Sequence, residues 1–281
     1  MKKIILKTEN LTYSYEENKK VLDGISLEIF QGEKVAILGN NGSGKTTFFK
    51  NINGVYIADS GEIFFKGKKI EKNKKDINFL RKNIGIVFQN SDSQIIGTTV
   101  FDELAFGLLN IGEENSKVEK KVIEIGKKFN LEKYLKTPPH YLSGGEKKRL
   151  TIAGIVVMEP EIIIFDEPTS ELDQKSIKEL EITLEELNRE GKTLIISTHD
   201  IDFAYKFTDR IIVFLDGRVI ASDIPEKIFR NQEILQKLDL RKPILYEMAE
   251  ELQLKGLLKE NKFPKTMKEI KNILGGKSEE R

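Results

Sequence analysis

Short apolar runs alternate along this chain with longer segments whose apolar residues recur every three or four positions. Val35-Ala36-Ile37-Leu38 is a short run closed by a glycine turn, and its length and β-branching predict a buried strand. A helix is expected to begin near Gly44. The first sixty or so residues read as strands and tight turns. Glu62 to Gly67 and Ile84 to Phe88 predict two further strands, the second running into Gln89. From Val100 to Ile155 the pattern turns helical: Val118, Val122, Ile125 and Phe129 share one face, with lysines and glutamates between them. Pro138-Pro139 interrupts, and Leu142 to Gly145 leads into another helix. Strand and helix then alternate. Ile162 to Phe165, Thr193 to Ser197 and Ile211 to Leu215 read as strands. Ile177, Leu180, Leu184 and Leu187 mark a helix closed by Gly191. From Pro225 the pattern is mostly amphipathic helix, with a fraying end at Gly275 to Arg281. No internal repeat is visible.

This alternation points to a largely parallel α/β core with an inserted helical subdomain at about 100–155. The expected division is one domain over 1–224 and a helical extension over 225–281. Hydrophobic residues make up 39% of the 281 and charged residues 32%, a globular profile with ample material for a core. The 46 basic and 45 acidic residues nearly cancel, so nothing demands nucleic acid as a partner. Without cysteine the chain has no disulfide, thiolate metal site or thiol nucleophile. The apolar run at the N-terminus is too short for a signal peptide, and no segment approaches the ~20 apolar residues of a spanning helix. Work at a membrane would need another subunit to span it.

Gly39-Asn40-Asn41-Gly42-Ser43-Gly44-Lys45-Thr46 matches the phosphate-loop pattern, with a strand before it and a helix after it. A chance match is roughly a one per cent event at this length. Its glycines let backbone N–H groups turn inward onto phosphate oxygens, aided by the helix N-terminus. Lys45 would reach the β- and γ-phosphates and the Thr46 hydroxyl would hold Mg²⁺. Asp166 and Glu167 close the apolar strand from Ile162, at a sheet edge where α/β proteins put ligands. They read either as a Mg²⁺ anchor (Asp166) with a base that polarises water (Glu167), or as a helix cap; the nearby phosphate loop favours the first. Ser143-Gly144-Gly145 offers a hydroxyl and two unencumbered amides at a helix start, an anion site or a simple cap. Gln89 ends a strand and could reach Mg²⁺ or the attacking water. His199 follows another strand and could meet the γ-phosphate. His140 sits among prolines and reads as a loop residue. Tyr15 could stack on adenine.

In this order, these residues resemble the ATPase subunit of ABC transporters, over nearly the whole chain to about Asp223. The resemblance implies an ABC-type phosphate-loop core with an N-terminal antiparallel β subdomain, the helical insertion and a C-terminal extension. Tyr15 matches the family's adenine-stacking aromatic, Gly39 to Thr46 its Walker A loop and Thr47 a further phosphate contact. Gln89 matches the Q-loop, and Ser143, Gly144, Gly145 and Glu146 the signature after Leu142. Asp166 and Glu167 match Walker B and the catalytic glutamate, Ser170 to Asp173 the D-loop, and His199 the switch histidine. The family implies ATP and Mg²⁺, with Thr46, Gln89 and Asp166 at the metal. It also implies a head-to-tail dimer, in which each signature completes the other subunit's site.

Gln89 to Gly97, Phe101 to Gly107, Pro138 to Arg149 and Leu240 to Met248 look like the energy-coupling-factor branch of importers, the third segment resembling its cobalt and nickel ATPases. That branch implies a second ATPase subunit, a transmembrane coupling subunit, a membrane substrate-binding subunit, and a peripheral place on the cytoplasmic face. The cargo is a transition-metal ion or a vitamin, with a lean towards cobalt or nickel. Two positions depart from the wider family: Glu146 stands where glutamine is usual, and Glu171 where alanine is common. A carboxylate there could slow a second ATP or simply cap a helix. A soluble ABC factor commonly joins two cassettes or inserts a coiled coil, and this chain has neither. A scaffold with ATP as a structural ligand would not need Glu167 and His199.

Overall fold

A computed structural model of the chain describes residues 2–16, 19–170 and 172–275. Among them, ten strands form two sheets. The first is antiparallel, in the order β2-β1-β4-β5, with β1 over Ile4–Glu16, β2 over Lys19–Phe30, β4 over Ser60–Phe65 and β5 over Lys68–Lys69. The second has the order β10-β9-β3-β8-β7-β6. Its parallel strands are β3 (Lys34–Leu38), β6 (Ile84–Val87), β7 (Ile162–Asp166), β8 (Thr193–Ser197) and β9 (Arg210–Leu215); β10 (Arg218–Asp223) closes one edge antiparallel.

Every residue of β6, β7 and β8 is buried, as parallel strands covered on both faces require. Alternate residues serve opposite layers. Ile163 and Phe165 of β7 pack with Val100, Leu104, Val122 and Leu150 of the helical insertion. Ile162 and Ile164 face Phe48, Phe49 and Ile52 together with Leu6, Leu22 and Ile29 of the antiparallel sheet. Register pairs Val87 with Phe165, Asp166 with Ser197, and Ile37 with Ser197, so four parallel strands end side by side at one edge.

Helix α1 (Lys45–Ile52) follows β3, and α2 (Lys74–Asn83) precedes β6. Between β6 and β7 lie α3 (Ser91–Gln94), α4 (Val100–Asn110), α5 (Asn115–Lys128) and α6 (Gly144–Val156). Then come α7 (Gln174–Arg189) and α8 (Ile201–Phe207), and after β10 the helices α9 (Pro225–Arg230), α10 (Gln232–Leu238), α11 (Ile244–Leu254) and α12 (Met267–Gly275). The segment after 224 does not form a core of its own. Ile228, Phe229, Leu235, Leu238 and Tyr246 join Ala36, Leu38, Ile211 and Val213 of the sheet and Tyr205 of α8 in one cluster.

Several boundaries differ from the sequence expectation. The strand expected over 62–67 runs from Ser60 to Phe65, and Lys66 and Gly67 turn the chain with positive φ. Phe88 leaves the ladder because its N–H donates to the Gln94 side chain. Phe129 caps α5 rather than extending it, and only two 3₁₀ turns, Glu132–Tyr134 and Pro139–Tyr141, bridge to α6. Glu171 and the tail 276–281 lie outside the described residues.

Candidate functional site

The strand ends at the sheet edge surround a cavity of about 830 Å³. Tyr15, Asn41 to Thr47, Gln89, Asp166, Glu167 and His199 all line it. Gly39 and Asn40 do not: their carbonyls turn back to accept hydrogen bonds from Lys45 Nζ, at 2.6 and 3.2 Å. A side chain at Gly39 would run into the Ser43 hydroxyl, 2.6 Å from its would-be Cβ. Gly44 adopts φ +100°, and a Cβ there would lie 2.8 Å from the Val21 carbonyl. The phosphate loop is therefore close-fitting as well as flexible in sequence. Lys45 is only 7% exposed, and burial pulls its ammonium below the usual lysine range against the opposing pull of Glu167 and Asp166.

At the end of β7 the Thr46 hydroxyl donates to Asp166 Oδ2 at 2.7 Å, and Ser197 Oγ donates to Oδ1. Thr46 and Asp166 thus already bring hard oxygen donors together, the chemistry that suits Mg²⁺, with the Gln89 side chain on the same cavity. Glu167 follows with φ 48°, a left-handed backbone that a residue with a Cβ adopts at a cost of about 1 kcal/mol. Its N–H donates to the Ser197 carbonyl and hydroxyl, at 3.1 and 3.0 Å, which fixes the turn. Burial pushes the Glu167 carboxyl above the ordinary carboxylate range; His199 and Lys45 pull it back and Asp166 adds to the rise. Glu167 Oε2 accepts the His199 backbone N–H, at 3.2 Å. His199 Nε2 stands 3.0 Å from Oε1 but makes its hydrogen bond with Asn41 Oδ1, so buried Oε1 has no hydrogen-bond partner. Glu167 lines the polar cavity with a raised pKa, the chemistry of a group that can take a proton from water.

Tyr15 is 56% exposed at the cavity mouth, its hydroxyl paired with Thr47 Oγ1 at 2.9 Å and its ring edge-on to Tyr13 and Tyr56. Sequence reasoning passed over Ser197, which ties Asp166 to the Glu167 turn. Its signal was a hydroxyl closing the apolar run Leu194 to Ile196. It also passed over Lys148, whose Nζ donates to the carbonyls of Phe88 and Gln89 and so joins the Gln89 segment to α6.

Ser143, Gly144, Gly145 and Glu146 stand outside this cavity. Ser143 is the N-cap of α6, and its hydroxyl and backbone N–H both donate to Glu146 Oε2, at 2.8 and 2.9 Å. Glu146 Oε1 accepts from the Tyr134 hydroxyl. Glu146 thus completes a capping box at the start of α6. Tyr134 first, then Ser143, hold its carboxyl down at about 2. A Cβ on Gly144 would meet open space, whereas one on Gly145 would lie 2.7 Å from Ser176 Oγ of α7. His140, expected in a loop, lies exposed in the 3₁₀ turn Pro139–Tyr141 with its ring against Tyr141.

A second, apolar groove of about 790 Å³ runs between α2, β6, α4 and α6, lined by Val55, Phe79, Ile96, Phe106, Ile155 and Met158. Among the described residues, no helix is long and apolar enough to cross a membrane.

Residues 22–170 match the ABC transporter family model. The chain is 42% identical over 271 residues to a Methanosarcina mazei relative, covering 96% of this chain and 60% of that longer protein. It is 41% identical to the energy-coupling factor transporter ATP-binding protein EcfA of Methanocaldococcus jannaschii, over 89% of this chain and 90% of that one. In structure it is similar to CbiO1 from Clostridium perfringens, described as part of the ABC transporter complex CbiONQ, with a TM-score of 0.74 and 40% identity over 88% of this chain and 99% of the other.

Proposed function

The chain belongs to the ABC transporter ATPase family, and from that premise we propose that it is the ATP-hydrolysing subunit of an energy-coupling-factor importer. One observation carries the reading. Lys45, Thr46, Asp166, Glu167, Gln89 and His199 converge on one cavity, while the signature residues stay outside it.

Lys45 and the N–H groups of the loop bind the nucleotide phosphates, Thr47 adds a contact, and Tyr15 stacks on the base. Thr46, Asp166 and the Gln89 amide would hold Mg²⁺, which would supply neutralisation of the phosphate charge. Glu167 draws the proton from the attacking water, and His199 holds the Glu167 turn on one side and reaches towards the γ-phosphate on the other. The signature residues Ser143, Gly144 and Gly145, at a helix start where the first two are exposed, serve the nucleotide of a second ATPase subunit. ATP binding closes the pair; hydrolysis and release reopen it.

The apolar groove supports a transmembrane coupling subunit as the next partner, since a helix end of such a subunit would bury its wall. Lys148 ties the Gln89 segment on the nucleotide side to α6 on the groove side, so closure and docking are mechanically linked. A separate membrane subunit binds the cargo, and the chain sits peripherally on the cytoplasmic face. The resemblance of Pro138 to Arg149 favours a cobalt or nickel ion as cargo; a co-purified membrane subunit carrying a vitamin would replace that reading.

The test is Glu167→Gln. Loss of a general base lowers turnover by about 10²–10⁴-fold. The variant is expected to bind ATP, release phosphate slowly and sediment as a closed dimer. Unchanged phosphate release would remove Glu167 as the base.

A further inference from the structure

Glu146 replaces a neutral amide with a charge at the end of the signature, and its surroundings give that charge a task. A serine hydroxyl has one proton to donate. The Ser143 proton goes to Glu146 Oε2, as does the Ser143 backbone N–H. The other carboxylate oxygen is held from a different element, by the Tyr134 hydroxyl on the 3₁₀ turn Glu132–Tyr134. Tyr134 is half-buried against the insertion core, so its hydroxyl is a fixed donor rather than a loose surface contact. With its carboxyl held at about 2, Glu146 stays charged at neutral pH, Arg149 adding a weaker pull in the same direction.

We propose that Glu146 is a built-in anion that occupies the Ser143 donors until a neighbour's nucleotide phosphate displaces it, and that Tyr134 is the positioning residue that holds it there. This rests on the reading that Ser143 serves the partner's nucleotide. An arriving γ-phosphate must win the Ser143 hydroxyl from the carboxylate and settle beside a like charge. Both requirements raise the ATP concentration at which two subunits close. Tyr134 sustains that competition by donating to one carboxylate oxygen, which keeps the group folded back on Ser143. A capping role alone predicts a change in stability; it predicts no change in ATP-driven closure and no coupling to Tyr134.

The experiment measures ATP-driven dimerisation by sedimentation in a Glu167→Gln background, where hydrolysis does not drain the closed state. Glu146→Gln keeps an oxygen acceptor for Ser143 and removes the charge. It is expected to lower the half-saturating ATP concentration about tenfold, the scale of one partly screened like-charge contact. Tyr134→Phe is expected to lower that concentration several-fold with Glu146 present and to leave it unshifted when Glu146→Gln is also present. Added salt should narrow the gap between Glu146 and its glutamine variant. A Glu146→Gln protein with an unchanged ATP requirement overturns the proposal, as does an equal Tyr134→Phe shift in both backgrounds. Ser143→Arg separates the two levels of the argument. If it still dimerises with ATP, the shared-site reading itself fails. If it blocks closure while Glu146→Gln changes nothing, only the built-in anion is wrong.

Discussion

The phosphate loop and the signature both open helices and are both proposed anion sites, and they are finished to different degrees. At the loop, the lysine is buried, Gly39 and Gly44 pack against neighbouring atoms and the Asp166 carboxylate is fixed by Thr46 and Ser197. At the signature, Ser143 and Gly144 are exposed, Gly144 borders open space, and the donors are occupied by the chain's own Glu146. A surface that is to be completed by another molecule has to stay open and be kept satisfied in the meantime. On the proposed reading the loop binds its own nucleotide and the signature waits for a neighbour's.

The largest test of this contrast is complementation. Lys45→Ala is expected to lose nucleotide binding and hydrolysis, and Ser143→Arg to lose hydrolysis while its monomer still binds ATP. When the two variants are mixed, a pair of identical chains regains one intact composite site, and phosphate release should return to a measurable fraction of the unmodified rate. A mixture as inactive as its parts would mean that the signature does not serve a second copy. A smaller effect is expected at Tyr15. Replacing it with Ala should weaken ATP binding about 10–100-fold, the range of base–aromatic stacking, and leave turnover at saturating ATP near normal. Calorimetry and phosphate release separate the two.

The smallest effect concerns stability. Because burial raises the folded-state pKa of Glu167, the folded protein holds that proton more tightly than the unfolded chain. The stabilisation from that proton is present at low pH and is lost as pH rises through the folded pKa. Glu167→Gln has no such loss. Without nucleotide it should melt about 2 °C above the unmodified protein at pH 8, with the gap closing towards pH 5. Hydrolysis by the unmodified protein should fall on the acid side as Glu167 protonates. An identical melting temperature at both pH values would contradict the burial argument.

The sequence made the parallel strands and the order of the motifs legible because both are local: an apolar run ending in a polar corner marks a buried strand and the functional edge at once. Val35 to Leu38 and Ile162 to Asp166 show this. What it left hidden depends on contacts across long separations. Ser197 meets Asp166 only once β8 lies beside β7, and Lys148 meets Gln89 only once α6 folds over the strand end. The role of Glu146 turns on Tyr134, twelve residues upstream across two prolines. Strand ends also moved by a residue or two where side chains took over the backbone bonds, as Gln94 does at Phe88.

The cluster that joins the last helices to the sheet sets a limit on how far the chain can be shortened. Leu38 lies just before the phosphate loop, and Tyr205 sits on the helix that follows His199; both are buried partly by Phe229, Leu235, Leu238 and Tyr246. Ending the chain at 224 would strip the rear wall from the catalytic edge, leaving an oily scar behind Gly39 and His199. A shortened protein that aggregates or loses nucleotide would be reporting on that missing wall, since every residue that meets the phosphates would still be present.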